Sequence, residues 1–212
     1  MKAVLKFLGW ALLALVLVGG YAGYRIGFGK PFDINQLANR QAIAFAMDNP
    51  EIFSQIGLVD GTLLDNHSGK LAAVGMAKRD ADYARAEKFL AEVRQFDRAK
   101  LKTQDQITYD ILEDFYSSAL KFRDFPWMSS EGLYPINQMW GSNIGLMQVM
   151  QSTHSIKNKK TAETYVQRLE AMGPKLDALT GEMERQAQAG VVLPVSLVER
   201  TIQITQDTIA PP

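Results

Sequence analysis

Apolar and polar positions along most of this chain recur with the 3.6-residue period of an amphipathic helix. From Asp33 to Met47 the residues Ile34, Leu37, Ala38, Ala42, Phe45 and Ala46 form one such stripe. Asn49-Pro50 interrupts it and opens a second short helix through Ile56. Gly57 to Gly69 is rich in Gly, Asp, Asn and Ser and reads as a loop. A long helix is expected from Leu71 to about Phe96, burying Tyr83, Ala86, Phe89, Leu90, Val93 and Phe96. Thr103 and Gln106 have the spacing of a capping box. The helix they open places Ile107, Ile111, Leu112, Phe115, Ala119 and Phe122 on its expected buried face and ends at Phe125-Pro126.

Pro126 to Asn143 is irregular, and a short helix follows from Ile144 to about Gln151. The last long pattern starts at Ala162, with Tyr165, Leu169, Met172, Leu176, Leu179 and Met183 at alternating spacings of three and four. Gly173-Pro174 falls inside it and predicts a kink or a break into two helices. Gly190 is placed to end this helix and Pro194 to begin a final one. That final helix runs toward Pro212 with no partner for its apolar face, so a fragment of a longer polypeptide is one expectation. No strand pattern appears. The expected fold is all-α, an array of long amphipathic helices without a sheet.

The front of the chain breaks the period. Phe7 to Tyr24 is an uncharged apolar run between Lys2 and Lys6 on one side and Arg25 on the other. At about 1.5 Å per residue it rises about 27 Å, close to the thickness of a bilayer core. Two readings stand. It is a cleaved signal peptide with a cut near Ala22, or an uncleaved anchor with Trp10, Tyr21 and Tyr24 at the interfaces. Both export the bulk of the chain, to the membrane surface in one case and as a secreted protein in the other. The expected division is residues 1–26 as leader or anchor, 27–34 as linker and 35–212 as the helical portion.

Composition narrows the chemistry. Basic and acidic residues balance at 23 each, which argues against a nucleic-acid binder, since that would need a basic face to neutralise phosphates. The absence of cysteine removes disulfides, zinc ribbons, iron–sulfur clusters and thiol catalysis. His67 and His154 are the only histidines, and neither has an acidic residue one helical turn away. No zinc-protease, phosphate-loop, dinucleotide or nucleophile-elbow motif is present. No catalytic or metal-ligating residue is therefore assigned. The segment Tyr134 to His154 carries aromatics, amides and two glycines together. Tyr134, Asn137, Gln138, Trp140 and His154 are candidate substrate-facing residues. The alternative is a buried connection whose amides satisfy the backbone.

Tyr134-Pro135-Ile136-Asn137-Gln138, Gly141 and Thr153-His154-Ser155-Ile156 resemble a pattern of a large bacterial family, the domain of unknown function numbered 885. Ala162-x-x-Tyr165-x-x-Arg168-Leu169, Gly190-Val191-Val192-x-Pro194 and Val198-Glu199-Arg200 continue it in order. Asp60 to Ser68 and the Thr103 to Asp110 stretch fit as well, and the similarity extends from about Asn35 to Ile202. Ser155 departs from it where the family more often has proline. The resemblance implies a helical, exported, zinc-metallopeptidase-like protein longer than this chain. Its metal motif, a His-Glu-x-x-Pro-Gly-His run, would lie beyond any position present here. Zinc and a peptide-like substrate are thus implied for a longer parent only, in which these helices would form part of a substrate-channel wall beside a C-terminal part of the same polypeptide. The alternative is a complete, membrane-tethered binding module without enzymatic activity.

Overall fold

The computed structural model describes residues 2–129 and 131–209. Ser130, the side chain of Lys2 and the 210–212 end of the expected final helix lie outside the described residues. Among the described residues there are eight α-helices and no strand. They are α1 (Lys2–Gly27), α2 (Ile34–Asp48), α3 (Pro50–Ile56), α4 (Met76–Val93), α5 (Thr103–Lys121), α6 (Ser142–Gln148), α7 (Lys159–Gln188) and α8 (Val195–Ile209). Two short 3-10 turns, Arg98–Lys100 and Phe122–Asp124, and a π-helical turn, Val149–Thr153, complete the list. The fold is all-α, as the periodicity predicts.

The chain divides into two compact units. The first comprises Met1–Ala44 and Ala86–Leu120. Its core is Ile34 and Leu37 from α2, Phe89, Leu90, Val93 and Phe96 from the α4 end, and Tyr116 from α5. Phe89 and Tyr116 meet edge to face, with ring centroids 5.7 Å apart. Asp33 accepts the Gln36 N–H at 2.9 Å and caps α2. In α1 the stretch Gly9–Gly27 is long and apolar enough to cross a membrane, and none of it is buried within the unit.

Three sequence expectations change here. Helix α4 begins at Met76, not at Leu71, because Gly75 takes a left-handed turn (φ +91°) ahead of the helix and the Glu51 carboxylate accepts the Ala72 N–H. Thr103 is already helical rather than the cap, and Gln106 donates its side-chain amide to the Leu101 carbonyl instead of closing a capping box. The buried face of α5 is also rotated. Tyr116 is buried and Tyr109, Leu112 and Leu120 pack against the core, while Ile107, Ile111, Phe115 and Phe122 are exposed. The α5 sequence carries two apolar stripes one position apart, and periodicity alone does not choose between them.

The second unit comprises Phe45–Arg85 and Lys121–Pro212. Its spine is α7, which runs unbroken through Pro174. The expected break into two helices is absent, since a proline removes one donor without removing the surrounding ladder. Asn158 and Thr161 form a reciprocal capping box at its start. At its end Gly190 (φ +78°) lets Val191 return its N–H to Gln186 O at 2.8 Å. The inner face of α7 is not the expected heptad stripe. Leu179 is buried, but Leu169 is exposed, and the other buried positions are Thr161, Arg168, Glu182 and Gln186.

Candidate functional site

Two features of the second unit concentrate interactions. One is an arginine-centred node. Arg168 is fully buried and distributes its guanidinium over four acceptors. Nε donates to Lys70 O at 2.9 Å, and one terminal nitrogen donates to Ser54 Oγ and His67 O at 2.9 and 3.1 Å. The other terminal nitrogen lies 3.3 Å from His154 Nδ1. His154 Nε2 is 2.9 Å from the Thr161 carbonyl, so Nε2 carries the hydrogen and Nδ1 presents its lone pair to the arginine. The π-turn aims that histidine, with His154 N–H returning to Val149 O at 2.8 Å. Burial pushes the Arg168 pKa down, against the opposing pull of Glu51, Asp60 and Asp65.

His67 is the second buried member. Its Nε2 is 2.9 Å from Asp60 and its Nδ1 is 3.3 Å from Asp65, with the Phe53 ring centroid at 4.5 Å. Burial alone would raise the Asp65 pKa. Hydrogen bonds from the Gly61 N–H and from Ser68, with the His67 charge, outweigh that and bring it down to about 2. The two carboxylates face opposite ring edges, so they do not converge on one ion. Both nitrogens of His154 are engaged by a carbonyl and a guanidinium. No group of three or more His, Asp or Glu side chains among the described residues is arranged to hold a metal. The residues present here do not fit a zinc site.

The other feature is an apolar groove of about 420 Å³, walled by the Tyr134 loop, the end of α7 and α8. Tyr134, Ile136, Met183, Val192, Val198 and Ile202 are among its lining residues. Three hydrogen bonds hold the walls together. Gln186 donates to Leu133 O at 3.0 Å, Asn143 to Thr205 Oγ1 at 2.8 Å, and the Tyr134 hydroxyl to Val192 O at 3.3 Å. The loop is closed at Gly141, where any Cβ would sit 2.4 Å from Asn137 N. Running from the groove outward, α8 presents Val198 and Ile202, which line it, together with Val195 and Ile209 as an exposed apolar stripe, while Thr201 is buried.

The five candidate residues fall in different places. Tyr134 lines the groove. Asn137 stitches its own loop, donating to Tyr134 O at 2.9 Å and accepting from the Met139 and Trp140 N–H groups at 2.9 and 3.0 Å. Gln138 is half-buried, and Trp140 is 77% exposed. His154 belongs to the arginine node. Sequence reasoning missed Arg168 as an organising residue. Its signals were its place in the Tyr165-x-x-Arg168-Leu169 part of the family pattern and its position beside a seam otherwise read as leucine and methionine.

The segments that carried the family resemblance meet in these two features: Asp60 to Ser68, His154 and Arg168 in the node, and Tyr134, Gly141 and Val192 at the groove. A comparison with protein-family models matches residues 50–212 to a bacterial protein family of unknown function, DUF885. The match begins later than the Asn35 expected from the sequence and continues past Ile202. No curated protein and no solved structure matches the chain. With most of its length covered, the chain belongs to the bacterial DUF885 family.

Proposed function

We propose that this chain is a membrane-anchored, exported and non-catalytic helical portion of a zinc-peptidase-like protein. Its groove and the open face of α8 seat further helices of the same domain, and together they wall a channel for a peptide-like substrate. The observation that supports this reading is the continuity of the groove with the exposed stripe through Val198 and Ile202, residues that belong to both. A stripe of that kind on a single helix is a surface made to be covered. The chemistry of hydrolysis would then reside in the covering part, because His67 Nε2 is bonded to Asp60 and both ring nitrogens of His154 are engaged by Thr161 O and Arg168.

The test is co-expression of this chain with a separately encoded family segment that contains the His-Glu-x-x-Pro-Gly-His run. Co-purification, weakened at least tenfold by Ile202→Asp, is the expected result. Failure to associate, with the isolated chain monomeric, refutes the seat. Zinc-dependent, chelator-sensitive peptide hydrolysis by this chain alone refutes its non-catalytic role. A second reading, a tethered binding module, draws on the groove volume of about 420 Å³, which is of the size of small-ligand sites. It predicts that the chain by itself binds an apolar peptide and that Ile202→Asp weakens that binding.

A further inference from the structure

The junction that follows α1 is a bonded structure, not a slack tether. Phe28 and Gly29 both return their N–H groups to the Tyr24 carbonyl, at 2.8 and 2.9 Å. Arg25 Nε donates to Lys30 O at 2.5 Å, and its guanidinium lies over the Phe32 ring, 4.6 Å from the centroid. Arg40 on α2 donates to Gly29 O at 2.7 Å and to Ile26 O at 3.3 Å, and it pairs with Glu92 on α4 at 3.2 Å. Lys30 Nζ donates to Gln95 O at 2.6 Å and sits over the ring of Phe96, a core residue of the first unit. Three cations therefore tie the last turn of α1 to the body of that unit.

Around this turn aromatic rings stand open. Tyr21, Tyr24 and Phe32 are all more than half exposed, and Phe28 is 84% exposed. In water a cluster of that kind leaves apolar surface hydrated. At the boundary of a bilayer the same rings are in their preferred environment. Helix α1 supplies the depth, because the 19 residues of Gly9–Gly27 rise about 28 Å against a hydrocarbon core of about 30 Å. That sets Phe28 and Phe32 just past the end of the span, with Tyr24 and Tyr21 about 4 and 9 Å deeper along the helix.

We infer that this junction is a rigid membrane mount. The collar of Tyr21, Tyr24, Phe28 and Phe32 seats in the interface of a lipid bilayer. Arg25, Lys30 and Arg40 lock α1 to the first unit, so that the unit is held at one attitude to the membrane instead of swinging on a linker. The inference rests on the reading of α1 as a retained anchor. The collar engages the bilayer through its rings.

The chain has no cysteine, so introduced cysteines are unique labelling sites. The first measurement is the intact mass of the protein extracted from membranes. Loss of the residues up to about Ala22 overturns the anchor and the mount together. With α1 retained, nitroxides at Phe28→Cys and Lys88→Cys are read in phosphatidylcholine vesicles. The expected ratio of oxygen to aqueous nickel-chelate collision is several-fold higher at position 28, and equal ratios overturn the mount alone. The distance between the two labels is expected to be single and narrow, and to broaden in Arg40→Ala. A broad distribution in the otherwise unchanged chain overturns the rigidity. Arg25→Ala, which touches no core residue, serves if Arg40→Ala fails to fold, and a distribution as narrow as before in that variant overturns the lock.

Discussion

Replacing Arg168 by methionine tests whether the buried node organises the second unit. The side chain is fully buried and makes four hydrogen bonds to Lys70 O, His67 O, Ser54 Oγ and His154 Nδ1. Hydrogen bonds from a cation contribute about 1.5–3 kcal/mol each, a gross loss of about 6–12 kcal/mol. Burying the guanidinium costs several kcal/mol, which methionine avoids. The net expected loss is about 3–5 kcal/mol. With a urea slope of about 2 kcal/mol per molar, the unfolding midpoint falls by about 2 M. Tryptophan fluorescence follows the transition, since Trp127 and Trp140 both lie in the second unit. Arg168→Lys keeps the charge but cannot span the four acceptors, so it loses nearly as much. Amide exchange at Lys70, whose N–H is bonded to His67 O at 2.8 Å, accelerates in both variants. A loss below about 1 kcal/mol for the methionine variant refutes the reasoning, because the acceptors would then have other partners.

Asp65 makes a pH-dependent contribution. Its folded pKa of about 2 lies below the ordinary 3.8, so its stabilisation of about 2 kcal/mol is present above pH 4 and lost as pH falls toward 2. Asp65→Asn removes that part of the acid unfolding curve, and an unchanged curve contradicts the assignment. Gly141→Ala forces a Cβ to 2.4 Å from Asn137 N and is expected to cost about 1–3 kcal/mol, measured as a lowered melting temperature. Ile202→Asp, at a half-exposed position on α8, is expected to leave stability within about 0.5 kcal/mol while reducing binding of a hydrophobic dye. Added zinc or a chelator is expected to leave the melting temperature unchanged, and a shift of several degrees would show that His67 or His154 binds metal after all.

Much of the architecture was legible from periodicity. The N-terminal apolar helix, the Asn49-Pro50 break, the Gly57 to Gly69 loop, the Gly190 stop and the lack of strands among the described residues all follow from local rules that act within a few residues. The start of α4 was not, because an extended strap held by Glu51 competes with a sequence otherwise suited to helix. The face of α5 was legible only at Leu112, because Ile107, Ile111 and Phe115 are as apolar as the Tyr109, Tyr116 and Leu120 side that packs inward, and only tertiary packing selects between them. The arginine node was least visible. The family pattern names Arg168 and His154, but the other partners are two backbone carbonyls and a serine hydroxyl distant in sequence, groups that no residue spacing singles out.

The polar inner face of α7 has a consequence for its register. A helix whose buried side is only leucine and methionine can slide along its neighbours by one turn, about 5.4 Å, and meet chemically equivalent surface again. Here Arg168, Lys175 and Gln186 each reach one particular set of partners: the node, Glu51 at 3.0 Å and Leu133 O at 3.0 Å. A displacement by one turn would strand all three at once, each as a buried donor without an acceptor. The α7 helix is thus keyed like a toothed rack, and the 30 residues of its length admit a single axial position.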